Sequence, residues 1–273
     1  MSKIEWTDKT WNPVTGCTKV SQGCKNCYAE RMYERFNGKG SFKNIICHED
    51  RLNHPFRWKK PTMVFVNSMS DLFHEDVPFD FVDRVLGVTR RTGINGHIYQ
   101  ILTKRPDRMI EYFKREVTEP LMPHVWVGVS VEDQATADER IPLLLQVPAE
   151  VRFLSCEPLL GIIDLNTIMV GDEKKYAISV LDKGIDWVIV GGESGPGARP
   201  MHPDSVRLIR QQCIEAGVAF FFKQWGEWWP GEKGRLYHGK MIDYTDGQTM
   251  VKIGKKKAGR ILDGQLYNDF PKQ

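Results

Sequence analysis

Cys17, Cys24 and Cys27 lie within eleven consecutive positions of the stretch Trp11-Asn-Pro-Val-Thr-Gly-Cys-Thr-Lys-Val-Ser-Gln-Gly-Cys-Lys-Asn-Cys-Tyr-Ala29. Three soft thiolates on one glycine-bearing loop can hold a metal centre and leave a coordination position open. An iron–sulfur cube held by three cysteines keeps one iron free for a small molecule, whereas a zinc held by three needs a fourth ligand or a water. The C-x6-C-x2-C spacing suits either metal, and Cys47 or His48 could complete a four-ligand zinc site. The seven histidines are scattered without helical pair spacing, which argues against a mononuclear hydrolase site.

A second set of reactive side chains follows short apolar runs. Met63-Val-Phe-Val leads into Asn67-Ser-Met-Ser-Asp71, and Ile98-Tyr-Gln-Ile-Leu leads into Thr103-Lys-Arg105. Val125-Trp-Val-Gly-Val precedes Ser130-Val-Glu132, Val151-Arg-Phe-Leu precedes Ser155-Cys-Glu157, Trp187-Val-Ile-Val precedes Gly191-Gly-Glu-Ser194, and Val218-Ala-Phe-Phe-Phe precedes Lys223-Gln224. In parallel α/β proteins the carboxyl ends of strands share one face, where active sites are built. Glu157, Glu193 and Lys223 are the candidates there for catalysis. The Gly191-Gly-Glu-Ser-Gly-Pro-Gly197 loop lacks the Lys-Ser/Thr of a phosphate-binding P-loop, and Cys156 reads first as a core residue.

These sites require a scaffold, and the runs recur every 26 to 36 residues, about one βα unit each. Near-continuous apolar composition suits parallel strands buried on both faces. Helical patterns fill several gaps: Pro78 to Arg91 with Gly93 as its stop, Pro106 to Arg115, Asp133 to Gln146 with Pro142 as an interruption, and Pro203 to Ala216 with Gly217 as its stop. The expected fold class is α/β: a full or partial (βα) TIM-type barrel of parallel strands, with a first strand leading into the cysteine loop. A doubly wound open sheet remains open on periodicity alone. Leu165 to Gly184 reads as an insertion. The division is expected at residues 1–225 for the barrel and 226–273 for a small C-terminal β appendage packed on it, with a hairpin or meander from Leu236 to Ile253 around Asp246-Gly247.

Among the 273 residues, 41% are hydrophobic and 27% charged, as in ordinary globular domains. The net charge of +3 does not by itself imply a polyanionic partner. The start, Met1-Ser-Lys-Ile-Glu-Trp-Thr-Asp, is too polar for a signal peptide, and no apolar stretch reaches membrane-span length. A cytoplasmic, reducing compartment is expected, where clustered cysteines read as metal ligands rather than disulfides. Lys104, Arg105, Arg199, Lys223 and residues 255–260, with Trp225, Trp228 and Trp229, could form a basic, aromatic surface for nucleic acid.

The flanks Asn12-Pro-x-x-Gly-Cys17 and Gly23-Cys-x-x-Cys-Tyr-Ala29 resemble the cluster loop of the radical S-adenosylmethionine (radical SAM) superfamily, near spore photoproduct lyase. The whole chain is similar to the phage Gp37/Gp68 family, also called the three-Cys-motif or DUF5131 family. The similarity rests on Trp11-Asn-Pro, Gly16-Cys17, Gly23-Cys24, Cys27-Tyr-Ala29, Thr103-Lys-Arg-Pro106, Gly128-Val-Ser130, Cys156-Glu-Pro158, Gly191-Gly-Glu-Ser-Gly195 and Lys223-Gln-Trp-Gly226. The resemblance implies a [4Fe–4S] cluster on Cys17, Cys24 and Cys27, with S-adenosylmethionine on the open iron. It also implies reductive cleavage to a 5′-deoxyadenosyl radical, with an electron donor as partner. It places Asn67, Ser68, Ser70 and Asp71 near the methionine amino group, Ser130 and Glu132 near the ribose or carboxylate, and Tyr28 near the adenine. The gap from Thr18 to Gly23 is three residues longer than the superfamily's usual C-x3-C-x2-C. A nucleic acid or nucleotide-derived substrate is the expected partner. The alternatives are a zinc-stabilised nucleic-acid-binding module and a cluster-less phage interaction protein.

Overall fold

The computed structural model describes residues 4–115, 121–171, 176–232, 234–235 and 237–272. Seven strands form the main sheet, with an α-helix in every connection but that between the fifth and sixth among the described residues: β1 (Lys9–Trp11), β2 (Met63–Val66), β3 (Ile98–Thr103), β4 (Val125–Ser130), β5 (Arg152–Cys156), β6 (Trp187–Gly191) and β7 (Ala219–Gln224). Their order in the sheet is their order in the chain, which gives a parallel sheet of half-barrel type flanked by helices. A doubly wound sheet reverses its strand order at a switch point. The sequential order excludes that alternative and bears out the partial barrel.

By its internal contacts the chain divides into two compact units, one of Met1–Ser21, Cys27–Ser130 and Arg140–Phe153, the other of Gln22–Asn26, Val131–Glu139 and Leu154–Gln273. In the first unit β1 pairs with β2, β2 with β3 and β3 with β4, with Lys9 opposite Val64, Val64 opposite Tyr99 and Tyr99 opposite Val125. All six residues of β4 are buried, as two covered faces require. Helix α1 (Tyr28–Asn37) starts directly after Cys27, and α2 (Phe79–Gly93) and α3 (Pro106–Phe113) follow β2 and β3. Phe81, Val82, Val85 and Leu86 form the buried stripe of α2. Gly93, expected as the stop, is the last residue of the helix. A Cβ there would lie 2.0 Å from His124 Nε2, so the glycine admits the imidazole that bonds the Thr89 carbonyl at 3.0 Å.

Helix α4 (Gln134–Leu144) contains Pro142 instead of stopping at it. The proline falls in the last turn, where it removes one i→i−4 bond while the Leu145 amide still reaches the Ile141 carbonyl at 3.0 Å.

In the second unit β6 and β7 run parallel, with Val188 opposite Phe220 and Val190 opposite Phe222. Helix α5 (Pro203–Ala216) buries Val206, Ile209 and Cys213 and stops at Gly217, whose φ of +68° suits glycine. Burial pushes the Cys213 thiol up to about 12 and raises that of Cys156 well above the ordinary thiol range, so both are core residues. The stretch from Leu165 to Gly184 holds a small antiparallel pairing of Ile168–Val170 with Tyr176–Ile178. Near the C-terminus β8 (Trp228–Gly231), β9 (Met241–Asp243) and β10 (Thr249–Lys252) form an antiparallel sheet in the order β8-β10-β9. The β9–β10 turn carries Asp246-Gly247, as expected, with Gly247 at φ +91°. Leu236, where that meander was expected to begin, lies outside the described residues. His202 Nδ1 accepts the Asp204 amide at the start of α5, and its Nε2 pairs with Asp246 at 2.9 Å, which ties α5 to that turn. Among the described residues no helix is long and apolar enough to cross a membrane.

In the first unit His97 is fully buried, its Nε2 donating to the Trp58 carbonyl at 3.3 Å while Nδ1 has no partner among the described residues. Burial, together with Lys9, lowers its pKa despite the Trp58 bond. A folded-state pKa below the unfolded value means that the unfolded chain binds the proton more readily, so stability is lost as pH falls. Urea unfolding should therefore weaken below about pH 6.5 by up to about 1.4 kcal/mol per pH unit for this group. His97→Gln should remove that part of the slope.

Candidate metal centre

In the first unit the loop after β1 is joined to the loop after β2. Asn12 Oδ1 accepts the Ser68 hydroxyl at 3.2 Å and the Met69 amide at 3.0 Å. Ser70 donates its hydroxyl to the Val14 carbonyl at 2.9 Å, and the Gly16 amide donates to Met69 at 3.1 Å. Asn67 turns the chain with φ +61°, a left-handed conformation that asparagine tolerates, and its Oδ1 accepts the Val14 amide. Its Nδ2 is buried without a partner among the described residues. Gly16, with φ +93°, passes so close to Asn44 that a Cβ would lie 2.1 Å from the carbonyl oxygen. Only glycine fits directly before Cys17, whose own amide donates to Phe42 at 2.8 Å.

Arg105, just past the end of β3, connects this loop to the core. Its guanidinium donates to Cys17 Sγ at 3.6 Å, to the Asp71 carboxylate at 3.4 Å, and to the Thr18 carbonyl and hydroxyl at 3.1 and 2.8 Å. Asp71 is aligned by three more donors: the Phe73 amide at 3.0 Å, the Thr103 hydroxyl at 2.7 Å and the Lys104 amide at 2.9 Å. Burial opposes the charge on Arg105, but Asp71 and Cys17 outweigh it and raise its pKa. Thr18 also meets His74 Nε2 at 2.8 Å. Because His74 Nδ1 accepts the Asp76 amide, Nε2 carries the proton and donates it to Thr18. Burial, then the charge of Arg105, lowers the His74 pKa. Tyr28, half exposed, anchors its hydroxyl on the Ser68 carbonyl at 2.7 Å.

In the second unit Gln22–Cys24 is a single tight turn. A Cβ on Gly23 would lie 2.4 Å from Glu132 Oε1, so glycine lets the turn before Cys24 rest against that buried carboxylate. Glu193, also buried, receives Arg199 through two side-chain bonds of 3.0 and 2.7 Å, the Arg199 amide at 2.8 Å and Asn26 Nδ2 at 2.9 Å. Burial disfavours its charge, but these donors outweigh it and lower the carboxyl pKa. Arg199 also donates to the Gln22 carbonyl at 2.9 Å, so the residues flanking Cys24 are held at both sides. Lys223 pairs with Glu157 at 2.8 Å, and the Ser155 hydroxyl donates to the second Glu157 oxygen at 3.2 Å.

The sequence profile of the family described as "Protein of unknown function (DUF5131)" matches residues 1–271. The chain belongs to the DUF5131 family. No curated protein matches it. Among solved structures, one of spore photoproduct lyase complexed with dinucleoside spore photoproduct is similar at 10% identity and a TM-score of 0.37. That match covers 88% of this chain and 66% of the lyase chain.

In this DUF5131 chain three cations of the basic, aromatic surface expected for nucleic acid are already engaged by carboxylates, while Lys255, Lys256 and Lys257 are exposed. Arg105 is buried against Asp71, Arg199 is paired with Glu193, and Lys223 is paired with Glu157. Trp225 and Trp228 are buried, with their indole N–H groups on the Ile261 and Ala198 carbonyls. Of the two residues that could complete a zinc site, Cys47 sits in a short strand pairing with Val14, and His48 Nε2 meets the Thr15 hydroxyl at 2.7 Å. Ser130 is buried, with its carbonyl on Arg140 at 2.8 Å. Sequence reasoning did not foresee the parts of Asn12, Thr18, Asn26 and His74, or the pairing of Arg199 with Glu193. Their only signal was nearness to the cysteines or to a strand end.

Arg105→Gln should leave Asp71 as a buried, unpaired carboxylate and release Thr18. A loss of about 3 kcal/mol in urea unfolding is expected. Arg105→Lys should recover only part of it, because an ammonium cannot serve Thr18, Asp71 and Cys17 with a planar fork.

Proposed function

We propose that this chain is a radical SAM-type iron–sulfur enzyme acting on a nucleic acid or nucleotide-derived substrate. The observation that carries the reading is that Cys17, one of three cysteines closely spaced in sequence, accepts a hydrogen bond from a largely buried guanidinium. The residues present suit a cluster: thiolates are its usual ligands, and hydrogen bonds to ligand sulfur are one of the protein's means of tuning it. Cys17, Cys24 and Cys27 would hold a [4Fe–4S] cluster. The chemistry available from such a cluster, with S-adenosylmethionine on its open iron and an external electron donor, is one-electron cleavage of the sulfonium to a 5′-deoxyadenosyl radical.

The side chains divide the remaining work by their free donors and acceptors. Ser68 and Ser70 give their protons to Asn12 and Val14, which leaves hydroxyl lone pairs able to accept from an ammonium group. The unpartnered Asn67 Nδ2 supplies a donor for a carboxylate. Asp71 acts through Arg105, since both of its oxygens are already engaged. The half-exposed Tyr28 ring offers a face for adenine, with Ser130 and Glu132 assigned to the ribose or the carboxylate of the cofactor. Glu193 holds the Gln22–Asn26 segment through Arg199 and Asn26, while the Lys223–Glu157 pair is the candidate for moving a proton or gripping the substrate.

Anaerobic purification or reconstitution should yield a brown protein with about four irons per chain. On reduction with S-adenosylmethionine it should release 5′-deoxyadenosine. A colourless protein with stoichiometric zinc under the same conditions would contradict the reading.

A further inference from the structure

Arg57, Trp58, Lys59 and Lys60 lead through Pro61 and Thr62 into β2. Together with Asp8 and Lys9 at the start of β1 they line an open groove of ≈ 470 Å³ within the first unit. Four cations thus meet one carboxylate, and Asp8 already accepts the Met63 amide at 2.9 Å. Among the described residues Arg57, Lys59 and Lys60 pair with no carboxylate, and all three are exposed. The Trp58 indole is half-buried beside them, with the Lys9 ammonium 5.7 Å from its ring centre. It is fixed from behind: the Trp58 carbonyl accepts from His97, and the His97 ring packs on the indole at 5.9 Å.

The groove lies at the amino ends of two parallel strands, whereas the cysteine loop and Asn67–Asp71 follow their carboxyl ends. Active sites of (βα) folds occupy the carboxyl face, so the catalytic reading gives these cations no task. Like charges held together without a counter-charge repel and call for an anionic partner. A fixed aromatic ring among cations is the combination that binds single-stranded nucleic acid, phosphates by charge and a base by stacking. The volume lies within the range of about 300–1,000 Å³ typical of small-ligand sites, and the open shape lets a chain leave at either side.

We infer that this groove binds single-stranded nucleic acid, with Arg57, Lys59 and Lys60 on phosphates and a base against Trp58. None of these residues belongs to the cysteine loop, so the inference stands or falls independently of the proposed chemistry. The test is fluorescence anisotropy of a fluorescein-labelled twelve-nucleotide DNA titrated with the full chain over a range of salt. R57E/K59E/K60E should weaken binding at least tenfold and flatten the slope of log K against log salt by about 2. Trp58→Ala should weaken binding roughly fivefold with the slope unchanged. If the triple variant misfolds by circular dichroism, Lys59→Glu and Lys60→Glu singly should shift affinity in the same direction. Absence of binding by the unaltered chain at low salt, or unchanged affinity in the charge-reversed variants, would overturn the inference. So would equal competition by adenosine monophosphate, which would reduce the groove to a nucleotide site, or by poly-glutamate, which would assign it to an acidic protein.

Discussion

The grip of Arg105 on Asp71, Thr18 and Cys17 is the interaction on which the first unit's part of the cysteine stretch depends. A guanidinium placed in a protein interior is costly unless its donors are met, and here the carboxylate, a carbonyl, a hydroxyl and a sulfur meet them. Arg105 fixes the backbone at Thr18, and the Asp76 amide on His74 Nδ1 leaves Nε2 to donate to the Thr18 hydroxyl. The second unit uses the same device: Glu193, with Arg199 and Asn26, holds the backbone on both sides of Cys24. Each unit therefore fastens its own portion of the cysteine stretch with one arginine held on a buried carboxylate.

The long gap between the first two cysteines is held by these contacts. Thr18 is committed to Arg105 and His74, and Gln22 to Arg199, so the six intervening residues carry an anchor at each end. Glycines on both sides serve the same purpose. Gly16 allows the chain to pass the Asn44 carbonyl, and Gly23 allows it to pass Glu132, where any side chain would collide.

The sheet was legible because buried parallel strands leave unbroken apolar runs. The limits of β3 and β4 agree with those runs to the residue, and the sequential order fits the regular βα spacing. Helix α1 escaped notice: only Ala29 among its residues is buried, so it lacks the apolar stripe that marks α2 and α5. Pro142 misled because the cost of a proline, one lost i→i−4 bond and a clash with the preceding turn, can be absorbed close to a helix end. At the candidate centre, residue types were readable and partners were not. Arg199 and Lys223 looked like free cations in sequence, but Glu193 lies six residues before Arg199 and Glu157 sixty-six before Lys223, and only the fold joins them. Among the described residues a further group of cations with no carboxylate partner, Arg57, Lys59 and Lys60, lies in a run that has neither helical nor strand periodicity to draw attention to it.

The central claim is that three cysteines hold a cluster whose open iron takes S-adenosylmethionine, and electron paramagnetic resonance of the reduced protein tests it most directly. The account expects a cluster signal that changes when S-adenosylmethionine is added, and its loss in Cys17→Ala, Cys24→Ala and Cys27→Ala. A cluster signal identical with and without S-adenosylmethionine, or surviving the loss of these cysteines, would contradict it.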